Sequence, residues 1–418
     1  MKIAIVGAGI IGVTTAWELA SDGHEVVVFE RRGAAAEESS FANAGVVAPG
    51  YVTPWAGPGM RGKVLRSLLS THGAIKLRWP LSRRDLSWMA HWQRACKLET
   101  YLSNRARMQR LAFYSRTRLH EITEARELSY ERTDGYLVLL RSKREKKLVQ
   151  AGLEVLRAAG SSFREVDADE ARKIEPALSA DTPLAGAIYL PEDEVANCRQ
   201  FALLLKWQAE ALGAQFHFNC DLAPLKRAAP TELSLASGSE GHRFDAVVVC
   251  AGVASADLLR PLGLRIPLAP VYGHSISANI REPLNAPRSA VMDERYKVAI
   301  SRLGLRVRVA GSAELGGSLD AMHPTALQTL YKVLHDWFPG AVTLQAGVQQ
   351  WKGARPMLPD GPPIIGPSGI PGVWLNLGHG SSGWALSCGS ARVLADMMGG
   401  RDAGVDLEGL GIERLLQH

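Results

Sequence analysis

The sequence lacks most of the signatures that would place it in a familiar class at once. Its five cysteines, Cys96, Cys198, Cys220, Cys250 and Cys388, lie far apart with no CxxC pair. That spacing excludes a zinc ribbon and a disulfide framework, and it points to reduced thiols in the cytoplasm. The eleven histidines form no HExxH or HxxxH pair, so no metal site is expected. There is no GxSxG elbow and no P-loop, which leaves hydrolase and nucleotide triphosphatase readings without their motifs. No run of ~18 apolar residues occurs, which excludes a membrane-spanning helix. With 41 glycines and 22 prolines in 418 residues, the chain is not of low complexity. Charge of one sign is also scarce: 48 basic against 42 acidic residues leave a net of +6, so nucleic acid is not demanded as a partner.

What is present begins at the N-terminus. Lys2–Val6 reads as a buried strand, Ile10–Ala20 as a helix ended by Gly23, and His24–Glu30 as a second strand. Between the first two lies Gly7-x-Gly9-x-x-Gly12. The first glycine permits a tight turn, the second lets backbone approach a pyrophosphate, and the third lets helix and strand pack closely. The first helical residues, Ile10 and Ile11, would offer N–H groups to phosphate oxygens. Glu30 ends the second strand where an acid can accept from ribose hydroxyls, with Arg31 beside it. This is a dinucleotide cradle, and spacing alone does not separate NAD from FAD. Glu37–Gly45 is small, polar and glycine-ended. It reads either as a wrap for a second aromatic system or as a surface loop.

Further along, 81–130 reads as helical, 144–159 as a helix near a solvated charge run from Arg141, and 197–212 as a helix capped by Asn197. Asp245–Cys250 is another buried strand, entering a glycine turn at Ala251 and Gly252. Residues 265–315 read as strands. Arg355 opens a proline-stiffened segment, Arg355-Pro-Met-Leu-Pro-Asp-Gly361, and suits capture of a carboxylate or a salt bridge on a surface turn. Gly378-His-Gly-Ser-Ser-Gly383 stands between a strand and a helix, an anion-cradling arrangement in which His379 reads as a cofactor ligand or as a polar loop residue. Tyr51, Tyr272 and Tyr296 are candidates in glycine-flanked or flexible settings. Trp55, Trp79, Trp88 and Trp92 alternate with Arg66, Arg78, Arg83 and Arg84, a mixture that suits either a packed helical domain or a membrane interface.

Taken together, Ile5–Gly12, Ser40–Gly45, Ala48–Trp55 with Pro58-Gly59, Arg355–Gly361 and Leu377–Trp384 resemble the D-amino-acid oxidase-like family of flavoproteins. That family includes glycine oxidase and sarcosine oxidase, and the Pro-Gly-Tyr/Pro-Trp stretch is similar to its dehydrogenase branch. The resemblance implies an α/β fold in which a Rossmann-like FAD-binding domain (1–80, 196–265 and 346–418) is interleaved with an α+β substrate domain on an antiparallel sheet (81–195 and 266–345). It implies FAD as cofactor, with Gly7, Gly9, Ile10, Ile11, Gly12, Glu30 and Arg31 on the adenosine side. Ser40, Asn43, Ala44, Gly45, Ala251, Gly252, Gly378, His379, Gly380, Ser382 and Gly383 would serve the rest. Arg355 would clamp a substrate carboxylate, with Tyr51, Tyr296, His379 and His274 near the reaction.

The implied reaction is oxidative deamination of a D-amino acid. Hydride leaves Cα for flavin N5, and the imine hydrolyses to a 2-oxo acid and ammonia. Electrons would pass to a quinone or to oxygen. Val271-Tyr-Gly-His274 departs from the D-alanine-type pattern and leaves the side-chain preference open. Hydroxy-D-proline or a sarcosine- or glycine-type secondary amine is the alternative substrate class, and a tRNA-modifying flavoprotein the alternative of another kind. A homo-oligomer, and peripheral contact with the inner face of the cytoplasmic membrane, are both left open.

Overall fold

The computed structural model describes residues 1–416 apart from 69, 159, 239 and 240. Strands follow in the order Lys2–Val6 (β1), Glu25–Phe29 (β2), Val46–Val47 (β3), Ile75–Leu77 (β4), Thr133–Leu140 (β5), Arg164–Val166 (β6), Gly186–Val195 (β7), Gln215–His217 (β8) and Glu232–Leu233 (β9). They continue as His242–Arg243 (β10), Ala246–Val249 (β11), Ala269–Asn279 (β12), Ala290–Asp293 (β13), Val298–Leu303 (β14), Arg306–Leu315 (β15), Gln349–Met357 (β16), Ile364–Pro367 (β17) and Val373–Leu377 (β18). The helices are Ile10–Ser21 (α1), Met60–Leu68 (α2), Arg83–Ala95 (α3), Leu98–Ala125 (α4), Lys143–Ala158 (α5) and Ala168–Ile174 (α6). Cys198–Ala211 (α7), Ser255–Leu259 (α8), Pro324–Trp337 (α9), Gly383–Met398 (α10) and Glu413–Leu416 (α11) complete them.

The first sheet runs β17-β18-β11-β1-β2-β8 and is parallel except at β17. Its strands are short apolar runs because both faces are covered. Ile3, Ile5, Val26, Val28 and Val248 face the core shared with α1, α7 and α10. Ala4, Val6, Val27, Val247 and Val249 face the opposite core, with Leu258, Leu259 and Leu262. Glu18 of α1 is fully buried. Arg118 of α4 holds it at 2.8 and 3.0 Å and Arg392 of α10 at 2.7 Å, so one carboxylate ties three helices together.

The second sheet runs β16-β12-β15-β14-β13-β5-β7-β3, with β4 added to β15 and β6 to β7. It is antiparallel except at β13–β5 and β15–β4. The expected fold class therefore holds: a Rossmann-like unit interleaved with an antiparallel-sheet unit. The boundary drawn at 346 sits differently. β16 pairs with β12 along its length and belongs to the second sheet, as do β3 and β4 within the first eighty residues. The start of the proline-stiffened segment, Arg355–Met357, is extended and forms the end of β16.

The charge run at 141–147 is also corrected in part. α5 begins at Lys143, but Arg141 is buried, held by Asp293 at 2.6 Å and Asp336 at 2.8 Å. Its guanidinium lies over the rings of Tyr296 and Trp337, at 5.1 and 4.8 Å from their centroids. Of the tryptophans in 55–92, Trp88 is buried and donates to the Met357 carbonyl, Trp55 and Trp92 pack on the same cluster, and Trp79 is 74% exposed. Among the described residues no helix is long and apolar enough to cross a membrane.

Candidate active site

The β1–α1 turn has the geometry that its glycines require. Gly7 adopts φ 102°, and a Cβ on Gly12 would fall 1.8 Å from the Gly7 carbonyl oxygen. α1 opens at Gly9 without a side-chain cap, and its Ile10 N–H donates to Ser40 Oγ at 3.0 Å. Glu30 accepts from the N–H groups of Ala8 (2.7 Å) and Arg32 (2.8 Å), which hold its carboxylate at the mouth of the turn. Arg31 turns to Glu38 instead.

The stretch read as either a wrap or a surface loop is an anchored strip. The Ala42 carbonyl accepts from Ser275 Oγ (2.8 Å), Asn43 from Arg308 (3.2 Å), Ala44 from Ser301 Oγ (2.7 Å) and Gly45 from Trp384 Nε1 (3.2 Å). Four successive carbonyls are thus tied to the second sheet and α10. The Asn43 side chain turns the chain by accepting from the Gly45 N–H at 3.0 Å. The anchors Ser275, Ser301 and Arg308 were missed in the sequence. The signal was there in Arg308, a charged residue in the alternating strand Arg306-Val-Arg-Val309, where alternate positions face inward. Burial lowers its guanidinium to about 10, and it remains charged near neutral pH.

Between the two sheets lies a cavity of about 1780 Å³. It is lined by Gly7, Gly9, Ile10, Ile11, Glu30, Arg31, Ser40, Asn43, Ala44 and Gly45, by Tyr51, Ala251, Gly252, His274, Tyr296 and Arg355, and by Gly378, His379, Gly380, Ser382 and Gly383. Gly12 does not line it, because its place is the helix–strand contact. Pockets for a single drug-sized ligand span ~300–1,000 Å³, so this cavity has room for a dinucleotide and a second molecule.

Arg355 enters from β16. Its guanidinium occupies the space above Gly273, where a Cβ would stand 2.3 Å from Nη2. Nη1 donates to the Ser312 carbonyl at 2.9 Å, and the ring of Trp55 lies 5.8 Å away. Burial lowers it to about 10, and among the described residues it has no carboxylate partner. A half-buried cation on a cavity wall with no acid beside it is suited to a ligand that supplies the anion.

Two histidines differ from their expected roles. The His379 ring is 2% exposed and bonds Ser390 Oγ of α10 at 3.0 Å. Burial holds it near 3, so it is neutral, with Nε2 toward the helix, while the residue still lines the cavity. An antiparallel bridge from Met357 to His379 fixes the Gly378–Gly383 turn beside Arg355. His274 is likewise held near 3, by burial first and then by Lys352, His323 and Arg355. Its Nε2 accepts from the His323 N–H (3.2 Å), so Nδ1 carries the proton and donates to Ser312 Oγ (2.9 Å). It therefore steadies the residue that holds Arg355. Of the tyrosines, Tyr51 and Tyr296 line the cavity, whereas Tyr272 is buried outside it with Lys352 over its ring.

The residues present fit FAD, since the glycine turn, the acid ending β2 and the anchored strip converge on one cavity. The family model described as FAD dependent oxidoreductase matches residues 2–397. The chain belongs to this family. It is an oxidoreductase whose cofactor is FAD. A protein of Cereibacter sphaeroides named D-amino acid dehydrogenase is 41% identical over 416 residues, covering 99% of this chain and 95% of its own. One from Mesorhizobium japonicum, named D-amino acid dehydrogenase 1, is 40% identical and covers all of both chains. Among solved structures, glycine oxidase from Geobacillus kaustophilus has the same fold, with a TM-score of 0.74 at 21% identity over 98% of each chain.

Proposed function

We propose that this flavoprotein oxidises the Cα–N bond of a D-amino acid, as the names of its full-length relatives indicate for them. The observation that carries the reading is Arg355: a half-buried guanidinium on the cavity wall, free of acidic partners among the described residues, beside the Gly378–Gly383 turn. A carboxylate docked there makes bidentate charge-assisted hydrogen bonds. Bound FAD supplies the acceptor for the hydride that leaves Cα. The chain's part is to hold the carboxylate on Arg355, fix that arginine through Ser312 and His274, and exclude bulk water. His274 and His379, both held near 3 chiefly by burial, are weak bases, and no strong protein base is needed if the substrate amine binds uncharged. Ser275, Ser301 and Arg308 hold the 42–45 strip rigid and with it the flavin side of the cavity. The electron acceptor is proposed to be a quinone or oxygen. The names of the full-length relatives favour neither the secondary-amine nor the RNA-modifying reading.

The test is turnover by purified enzyme with an artificial acceptor. D-amino acids are expected to yield 2-oxo acid and ammonia in equal amounts, and their L-enantiomers neither. Equal turnover of both enantiomers would refute the reading.

A further inference from the structure

The cavity continues past the place where a small substrate would end. The Arg355 guanidinium lies over Gly273 of β12 and reaches Ser312 of β15. From β15 the sheet passes through β14 to β13, two steps of ~4.8 Å each. The floor along this path is Ala310, Ala299 and Met292, cross-strand partners in one row that line the cavity. Glu294 directly follows β13. A carboxylate on Arg355 and a group beside Glu294 are therefore roughly 10 Å apart, over an apolar floor with small side chains.

The far end is polar and unsatisfied. Tyr136 is 1% exposed and lines the cavity, and its hydroxyl has no hydrogen-bond partner. Glu294 Oε2 is buried and unpartnered, while Oε1 pairs with Lys297 at the rim. The Tyr51 ring meets Tyr136 edge-on at 6.0 Å. Asp193, 4% exposed, adds a second acid whose charge acts on both phenols, and its Oδ2 is unpartnered. Arg144, Arg295 and Arg105 also line this cavity; Arg105 has its head group engaged by the Tyr101 hydroxyl and the Gly152 carbonyl, and Arg295 pairs with Glu145. Buried oxygens without donors are costly, and an incoming donor relieves that cost.

We propose that Glu294, with Tyr51 and Tyr136, forms a side-chain subsite that selects D-amino acids with a long aliphatic stem ending in a cationic group over alanine-sized ones. This rests on the D-amino acid reading above and names the substrate class for it.

The test compares kcat/KM for D-lysine, D-norleucine and D-alanine. The expected preference for D-lysine over D-norleucine is about tenfold or more, and Glu294→Gln should bring that ratio close to one. Tyr136→Phe, which removes only an unpartnered hydroxyl, should reduce it partway. Binding without turnover is read by calorimetry with 6-aminohexanoate and hexanoate: the amine should tighten binding in the native enzyme and not in Glu294→Gln. D-norleucine or D-alanine outpacing D-lysine, or a ratio unmoved by Glu294→Gln, would overturn the subsite and leave the D-amino acid reading intact. Flavin reduced by no D-amino acid would overturn both.

Discussion

At the residue scale the decisive group is Arg355. Its environment is built for an anion: Gly273 leaves room, Ser312 and Trp55 steady it, and no acid competes among the described residues. Arg355→Lys replaces a planar fork with a point charge. The substrate KM should rise at least about tenfold while FAD remains bound, checked by steady-state kinetics and the flavin-to-protein ratio. The two buried histidines make a pH prediction. Both are held near 3, so neither changes charge between about pH 5.5 and 8. The kcat/KM profile should then rise with deprotonation of the substrate amine and show no histidine limb. A limb near pH 6.5 that disappears in His274→Gln would contradict this. Whether Arg355 meets a carboxylate or a surface salt bridge was left open by the sequence, but its stiff support was legible in the prolines that follow it. The direction of His379 was not, since a glycine turn leaves either face of the ring available and only the position of Ser390 on α10 decides.

At the scale of elements, the β1–α1 turn was readable almost atom by atom. Glycine spacing expresses a local steric constraint, and Gly12 meets the backbone of Gly7 itself. Gly12→Ala should therefore lose FAD as purified and unfold at lower temperature than the native protein, by absorbance and calorimetry. The 42–45 strip was only half legible, because its anchors come from strands more than two hundred residues away. The same holds for Arg141. A charge run predicts a solvated helix start, and the partners that bury it, Asp293 and Asp336, lie on β13 and α9. Arg141→Ala would leave fully buried Asp293 without its cation. It should destabilise the fold by ~3–5 kcal/mol in urea denaturation. A loss under ~1 kcal/mol would show the pair to be dispensable.

At the scale of the molecule, the interleaving of two sheets places one cavity where they meet, and no contiguous stretch of chain contains the site. The fold class was implied by the resemblance of the motifs to a flavoprotein family, but the assignment of β3, β4 and β16 to the second sheet was not, because pairing partners are non-local. Burial across the second sheet also carries a pH signature. Asp193 and Glu175 are both raised to about 7, chiefly by desolvation, from 3.8 and 4.5. The folded state thus keeps protons that the unfolded chain releases, and stability declines as pH rises from about 4 to 7. In Asp193→Asn combined with Glu175→Gln, the melting temperature should fall less between about pH 5 and 7.5 than in the native protein.

The central claim is that one cavity brings a D-amino acid, held by Arg355, against the bound flavin. Anaerobic mixing of the purified protein with paired D- and L-amino acids, followed by flavin absorbance, tests it most directly. The account predicts bleaching by D-enantiomers alone, slowed severely in Arg355→Lys. Bleaching by L-enantiomers, or by neither, would contradict it.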